Sequence, residues 1–270
     1  MKRLYGQLVF FALMLICRLS MGAELRVLSI NEPPTNFQTD GKLTGFVGEV
    51  IERMQQDMGI NVIIETVPAA RAMAFLERGE NVVVFTLGKT REREALGLTF
   101  IGPLTTRDQI VWMNKGKGYT IASPDDINRQ SLVLGSPRGD WRTKFFIDRG
   151  VKVDESYSHL LDLEHLKRGW INLCALSDLE MLYLIQVNRF DAADYEAAYI
   201  FAHAVKGYLV FSKGTPPETI QRWENEFLNL QKSDFLLKTA KKWSAPNYPL
   251  TYDPDMGFLL DPRKKLGTTN

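Results

Sequence analysis

The stretch "NVIIETVPAARAMAFLERGENVVVFTLGKTRER", from Asn61 to Arg93, contains the alternation that decides the fold. Its first seven residues form a β-rich run, and "AARAMAFLERGE" then places apolar residues at helical spacing before Gly79. The following run, "NVVVFTL", has the length and composition of a buried strand. A strand, a helix and a second strand in this order predict a parallel sheet covered by helices.

The same alternation continues on both sides of this stretch. Before it, "LRVLSI" (25–30) predicts a strand and "FVGEVIERMQQDMG" (46–59) predicts an amphipathic helix. After it, an extended run at 109–113 leads to "SLVLGSPRGDWRTKFFIDRG" (131–150), which repeats the order strand, glycine turn and helix. A late strand in "YLVFSKGT" (208–215) and the helices after it return the chain to the first unit.

Two such units predict an α/β protein made of two lobes. We expect lobe 1 at residues 24–110 and 206–250, and lobe 2 at residues 111–205. Residues 251–270 contain proline, glycine and charge, and we expect a loose C-terminal extension there. Ligands of such sheets bind beyond the carboxyl ends of strands, so the loops that follow the strands are the candidate site.

Composition limits the classes of function. The chain has 270 residues, and its formal net charge of +1 creates no field that would attract DNA or an anionic membrane. We also find no zinc-finger spacing and no basic helix interleaved with aromatic residues, so nucleic-acid binding is not expected. Cys174 lies in the apolar setting "INLCALSDL", which favours a buried, inert thiol.

The N-terminus has the layout of a secretory signal peptide. Lys2 and Arg3 precede a ten-residue apolar run, Leu8–Cys17, and small residues follow it. Ten apolar residues are too few to cross a bilayer, which needs about 20. We therefore predict a cleaved signal peptide over residues 1–23 and export to the periplasm. A short uncleaved anchor or a buried helix is the alternative.

Five stretches, in their order and spacing, carry a resemblance to a known family. They are "INEPPTNFQTDGKLTGFVGEVIERM" (30–54), "RAMAFLERGENVVVF" (71–85), "TLGKTRERE" (86–94), "SPDDINRQSLVLGSPRGD" (123–140) and "KGYLVFSKGTPPETIQRWENEFLNLQKSDFLLKTAKKW" (206–243). Through them the chain resembles the bacterial extracellular solute-binding proteins of the polar-amino-acid type (family 3), the capture subunits of ABC importers. The resemblance covers about residues 25–244.

The resemblance implies the type 2 periplasmic binding protein architecture, in which two α/β lobes are joined by a two-strand hinge. The crossing strands would lie near 109–114 and 203–209. The resemblance also implies that Arg93 pairs with the carboxylate of the ligand, which suits the planar fork of a guanidinium. Thr90 would add a hydroxyl and a backbone N–H, and Thr86 and Gly88 would supply backbone contacts. The alternative is that the arginines of this loop are solvated and pair with neighbouring glutamates.

Other candidate ligand contacts lie in loops expected near the cleft. Phe37 occupies the place where the family stacks an aromatic residue on the ligand, but it could equally fill the core. Arg71 begins a helix and would face either the cleft or the surface. Ser136 and Arg138 belong to a turn before a helix, and Trp141 is a candidate for either the cleft or the core.

One position departs from the family pattern. The resemblance places an aspartate that binds the ligand ammonium after the strand "INLCALS", yet Ser177 occupies that register and Asp178 follows it. Asp178 would bind the ammonium or cap the next helix, a role that aspartate fills well. Glu32, in the first loop, could also meet a cationic group.

The resemblance implies a binding protein that closes its lobes on a small solute and presents the closed form to a membrane permease. We expect a monomer without catalytic activity, cofactor or metal. Two alternatives remain open. One is an enzyme such as a dehydratase on the same scaffold, and the other is a periplasmic sensing protein whose partner is a membrane receptor.

Overall fold

The computed structural model describes residues 24–262, and the predicted signal peptide lies outside them. The strands are β1 (Arg26–Ser29), β2 (Phe37–Thr39), β3 (Lys42–Thr44), β4 (Ile64–Thr66), β5 (Val82–Gly88), β6 (Thr99–Asn114), β7 (Leu134–Pro137), β8 (Val153–Ser156), β9 (Leu173–Ser177), β10 (Tyr195–Phe211), β11 (Leu250–Asp253) and β12 (Gly257–Leu260). The helices are α1 (Phe46–Asp57), α2 (Ala69–Arg78), α3 (Arg91–Ala95), α4 (Pro124–Arg129), α5 (Trp141–Ile147), α6 (His159–Arg168), α7 (Asp178–Val187), α8 (Pro217–Lys232) and α9 (Phe235–Trp243). Among residues 24–262, no helix combines the length and the apolar character that a membrane span requires.

One sheet runs through both lobes in the order β4-β1-β5-β10-β6-β9-β7-β8. Strand β1 pairs in parallel with β4 and β5, and β7 pairs in parallel with β8 and β9. The long strands β6 and β10 are antiparallel and join these two parallel halves. The segments predicted to cross between the lobes, 109–114 and 203–209, lie within them. The two-lobed α/β architecture predicted from the sequence is confirmed.

Each half of the sheet is covered on both faces. Residues 82–85 of β5 are fully buried, because α1, α8 and α9 cover one face of lobe 1 and α2 covers the other. In lobe 2, Phe146 of α5 packs on one face and Leu166 of α6 packs on the other. The apolar runs of the sequence are therefore the buried strands of a parallel sheet, and the polar loops at the strand ends remain to form a site.

The C-terminal tail is folded as far as residue 262, which differs from the loose extension expected there. Strands β11 and β12 form an antiparallel hairpin, and Phe258 of β12 pairs in parallel with Thr105 of β6. Gly257 makes this approach possible, because it has a φ of 71° and a Cβ there would lie 2.4 Å from the Leu104 carbonyl. Phe258 is buried against Phe46, with ring centroids 4.9 Å apart. Close backbone pairing at a glycine, which leaves little local sequence signal, explains the difference.

Candidate functional site

The loop after β5 holds Arg93 in a defined position. The Thr90 hydroxyl caps α3 by accepting a hydrogen bond from the Arg93 backbone N–H at 3.3 Å. The Arg93 guanidinium folds back and donates from Nη1 to the Gly88 carbonyl at 2.6 Å. Arg93 forms no salt bridge with residues 24–262, and the nearby Glu94 pairs with Lys89 instead. Burial lowers the pKa of Arg93, and the Glu92 carboxylate offsets only part of that effect.

Beside Arg93, two adjacent strands of the sheet carry glycine at paired positions. Gly88 of β5, Gly207 of β10 and Thr105 of β6 lie in register on three adjacent strands, and we call them the glycine floor. A Cβ on Gly207 would lie 2.7 Å from the Thr105 hydroxyl, so only glycine fits there. The Cβ position of Gly88 is 3.8 Å from Arg93 Nη1, so the guanidinium lies on the face of the sheet toward which a side chain at Gly88 would point.

Thr86 borders the glycine floor in a strained conformation. Its φ is 70°, which is rare for a β-branched residue, and it is the extra residue where β5 shifts register against β10. The Thr86 hydroxyl donates to the Phe85 carbonyl at 2.6 Å. Thr86 therefore turns its hydroxyl to its own strand, while its carbonyl oxygen lies 3.2 Å from the Cβ position of Gly207.

A second arginine, which the sequence analysis did not single out, lies on the strand that joins the lobes. Arg107 of β6 donates from Nη2 to the Glu32 carboxylate at 3.0 Å, and the two side chains are only 7% and 14% exposed. Arg107 Nε and Nη1 are buried without a hydrogen-bond partner among the described residues. The cationic group expected for Glu32 is thus supplied by the protein itself. A charged residue within the extended run "TTRDQIVW" was the signal for it.

The carboxylate of lobe 2 comes from Glu180. Ser177 caps α7, and the Glu180 side chain returns to Ser177, accepting from its hydroxyl at 2.6 Å and its backbone N–H at 2.8 Å. A carboxylate therefore lies beside the register at which the resemblance places an aspartate. The spacing Ser-x-x-Glu predicts this capping box, so the sequence contained the signal.

Asp178 does not cap α7, contrary to the alternative considered for it, because Ser177 holds that position. The Asp178 carboxylate accepts hydrogen bonds from its neighbour Leu179 N at 2.8 Å and from Asp108 N on β6 at 3.2 Å. Asp178 thus connects α7 of lobe 2 to a strand that joins the lobes.

Arg142, at the start of α5, neutralises Glu180. It is 1% exposed and donates from Nη2 to Glu180 at 2.8 Å, from Nε to Gln109 at 2.7 Å and from Nη1 to Asp140 at 3.2 Å. Its Nη1 also lies 2.7 Å from His159 Nε2. Because the guanidinium already has these partners, we interpret Arg142 as a residue that stabilises lobe 2 and not as a ligand-binding residue.

This network sets the ionisation of its members. Burial by itself raises the pKa of Glu180, but the charges of Arg142, His159 and Arg107 outweigh it and hold that pKa at about 2. Burial likewise opposes the charge of Arg142, yet Asp140 and Glu180 keep its pKa above the ordinary value. Glu180 is therefore ionised at neutral pH and has a cation beside it.

Asp162 of α6 lies next to this network. It is 1% exposed, and its Oδ2 is 3.8 Å from His159 Nδ1. Burial raises the pKa of Asp162 to about 6, although the neighbouring Ser156 and the charge of His159 act in the opposite direction. Asp162 is consequently a buried acid that titrates near neutral pH.

The aromatic candidates pack against other aromatic rings. Phe37 packs against Tyr183 of α7 and Trp243 of α9, with ring centroids 5.9 Å and 6.4 Å away. It therefore lies where lobe 1 meets lobe 2 and is partly buried among aromatic rings. Trp141 is 44% exposed and packs against Phe201 of β10 at 5.9 Å.

The remaining polar candidates are dispersed. Ser136 is fully buried, and its hydroxyl accepts a hydrogen bond from Thr143 at 2.8 Å. Arg138 has an exposed side chain that lies 3.6 Å from Glu155. Arg71 is exposed at the start of α2. The structure thus brings together Thr86, Gly88, Thr90 and Arg93, whereas these three residues do not join them.

Comparison with known proteins identifies the family and the fold of the chain. Residues 25–246 match the family model described as bacterial extracellular solute-binding proteins, family 3. No curated protein matches the chain. Similar solved structures include an ancestral arginine-binding protein bound to arginine, with a TM-score of 0.66 and 19% identity over 83% of this chain and 100% of that one.

Two further structures have the same fold. An ABC uptake transporter substrate binding protein from Streptococcus pneumoniae with bound histidine has a TM-score of 0.68 and 17% identity, over 81% of this chain and 92% of that one. A histidine kinase sensor domain with similarity to periplasmic binding proteins has a TM-score of 0.69 and 17% identity, over 82% of this chain and 96% of that one. At these identities the likeness concerns the fold.

Proposed function

Because the chain belongs to the bacterial extracellular solute-binding proteins of family 3, we propose that it captures a small, amino-acid-like carboxylate between its two lobes. The observation that carries this proposal is Arg93, a partly desolvated guanidinium that has a carbonyl partner but no salt bridge within the described residues. A guanidinium offers a planar pair of donors that matches a carboxylate. Two proteins of similar fold hold an amino acid, which supports the same class of solute.

Capture would proceed by closure of the lobes around the solute. Arg93 and Thr90 belong to lobe 1, whereas Glu180 and Arg142 belong to lobe 2, and β6 and β10 are the strands about which the lobes would move. Closure removes water from the solute carboxylate, so each hydrogen bond from a charged group contributes about 1.5–3 kcal/mol. No covalent step is needed for this function.

We further propose that the closed form is delivered to a membrane protein from the periplasm, to which the predicted signal peptide would send the chain. The permease of an ABC importer is the first candidate partner, in keeping with the family. A membrane receptor is the second, because a histidine kinase sensor domain has a similar fold. Gene neighbours that encode a permease and an ATPase favour import, whereas a neighbouring signalling protein favours sensing.

The test of capture is isothermal titration calorimetry of the protein with amino acids and small organic acids, comparing wild type with Arg93→Ala. We expect the variant to bind any carboxylate ligand at least tenfold more weakly, because about 1.5–3 kcal/mol of charge-assisted bonding is lost. A variant that binds as tightly as wild type would contradict the role of Arg93.

Two controls make this result specific. Arg91→Ala removes an exposed arginine two residues away and should bind like wild type, which excludes a general effect of loop charge. Recovery of the solute unchanged after incubation argues for binding, whereas conversion to a product would favour the enzyme alternative.

A further inference from the structure

The cleft contains a second group of unsatisfied donors, and it lies on the same face of the sheet as Arg93. The register Gly88, Gly207, Thr105 crosses β5, β10 and β6, and cross-strand neighbours share a face. Arg107 is two residues beyond Thr105 on β6, and the pairing of this segment with β10 is regular, so its side chain leaves that face as well. The two arginines therefore flank the glycine floor.

The distance between them suits a small molecule. Neighbouring strands lie about 4.8 Å apart, so the Gly88 and Thr105 rows are separated by roughly 10 Å. Arginine side chains reach inward over part of that span. Because Gly88 lacks a side chain, a solute carboxylate can approach the backbone beside Arg93, and the Thr105 hydroxyl, next to Gly207, faces the middle of the span between the two guanidinium groups.

Three buried polar atoms around this floor can act as hydrogen-bond donors. Arg107 Nε and Nη1 and the Thr105 hydroxyl are buried and have no hydrogen-bond partner among residues 24–262. Arg107 is 6% exposed and Thr105 is fully buried. A buried donor without an acceptor destabilises a protein, because it has lost its hydrogen bonds to water. Groups of this kind persist at sites where a ligand supplies the acceptors.

The nearby acids already have cationic or backbone donors. Glu32 is bound to Arg107 Nη2, and Glu180 is bound to Arg142. The Asp178 carboxylate accepts from two backbone N–H groups. Arg93 and the remaining N–H donors of Arg107 thus favour a solute with anionic oxygens at both ends.

On the basis of the proposed function, we propose that Arg107 is a second anion-binding residue of the cleft and that the solute is a small dicarboxylate. One carboxylate lies at Arg93, and the other accepts from the remaining N–H donors of Arg107, with the Thr105 hydroxyl between them. Glu32 holds Arg107 in place by occupying Nη2 only. This chemistry is shared by acidic amino acids and by dicarboxylates without an ammonium group.

The experiment is calorimetric titration with glutamate and with two probes that each differ from it by one group. Glutamate and glutamine have the same shape, but only glutamate has the second carboxylate, and glutarate lacks the ammonium group. We expect glutamate, glutarate or both to bind at least tenfold more tightly than glutamine. The comparison of glutamate with glutarate shows whether an ammonium group contributes.

The decisive variant is the double substitution Glu32→Gln with Arg107→Gln, which removes the ion pair without leaving a buried charge unpaired. We expect it to reduce the ratio of dicarboxylate to glutamine affinity from at least tenfold to about one, and thermal denaturation verifies that it folds. Arg93→Ala, by contrast, should weaken all three probes.

The outcomes separate this inference from the proposed function. If glutamine binds as tightly as glutamate and glutarate, or if the double variant keeps the preference, the second site is wrong while carboxylate capture stands. If none of the three probes nor any other carboxylate binds wild type, both proposals are overturned.

Discussion

At the scale of a residue, Asp162 makes stability depend on pH. Its pKa is raised from 3.8 to about 6 in the fold, so the folded protein binds a proton that the unfolded chain has released between those values. Stability therefore falls as pH rises through this range, and at higher pH the ionised, buried carboxylate opposes folding. This difference in pKa between the unfolded chain and the folded protein corresponds to a change of at most about 3 kcal/mol in the free energy of unfolding.

Asp162→Asn removes this titration. We expect the variant to be more stable than wild type at pH 8 and to lose that advantage at pH 4, because protonated Asp162 and asparagine are both neutral. Urea denaturation at the two pH values measures the difference. Asp40→Asn, in an exposed turn that asparagine tolerates, is the control and should show no such pH-dependent gain. An equal effect of Asp162→Asn at both pH values would refute the assignment.

At the scale of an element, the start of α7 depends on a reciprocal cap. Ser177→Ala deletes the hydroxyl that accepts a hydrogen bond from Glu180 N and donates one to the Glu180 carboxylate. We expect a loss of about 2 kcal/mol in the free energy of unfolding, the upper part of the range for caps, because both partners are buried. Chemical denaturation provides the measurement.

Ser158→Ala is the matched control for this cap. Ser158 caps α6 by accepting a single hydrogen bond from Leu161 N at 3.2 Å in an exposed setting. The variant should therefore lose about 1 kcal/mol or less in the free energy of unfolding. If the two variants lose equal stability, the bond from Ser177 to the Glu180 carboxylate adds nothing.

The strands and helices also show how much of the fold and of the site could be predicted from the sequence. Periodicity predicted the alternating strands and helices of both lobes, because a buried face requires a regular apolar pattern. The family resemblance predicted the loop that carries Arg93. The pair Glu32 and Arg107 could not be found in this way, since residues 75 positions apart meet only through the order of strands in the sheet. The hairpin of β11 and β12 was missed for a different reason, because its pairing with β6 depends on close backbone approach at Gly257, which leaves little local sequence signal.

At the scale of the whole molecule, the C-terminal hairpin links the two lobes. Strand β12 pairs with β6 and packs against α7 of lobe 2, and Tyr248 just before the hairpin lies 6.4 Å from Tyr183 of α7. Phe258→Ala should lower the free energy of unfolding by about 3–5 kcal/mol, as expected for a large buried side chain. It should also allow the lobes to separate more widely without solute.

Denaturation and small-angle X-ray scattering together test this prediction. Leu259→Ala, at the next and only half-buried position, should reduce stability less and leave the radius of gyration unchanged. A Phe258→Ala protein that is destabilised but no larger than wild type would restrict the hairpin to a role in the core of lobe 1.

The contact of the C-terminal hairpin with both lobes affects how fast the protein binds and releases its solute. If the hairpin keeps the lobes near their closed arrangement, a larger fraction of the free protein is ready to bind, and the apparent Kd falls in inverse proportion to that fraction. The same contact makes the opening of the lobes, which release of the solute requires, less frequent. The protein would then retain its solute for long periods and would depend on the proposed membrane partner to open it, so that release of the solute rather than its capture would limit the rate of transfer.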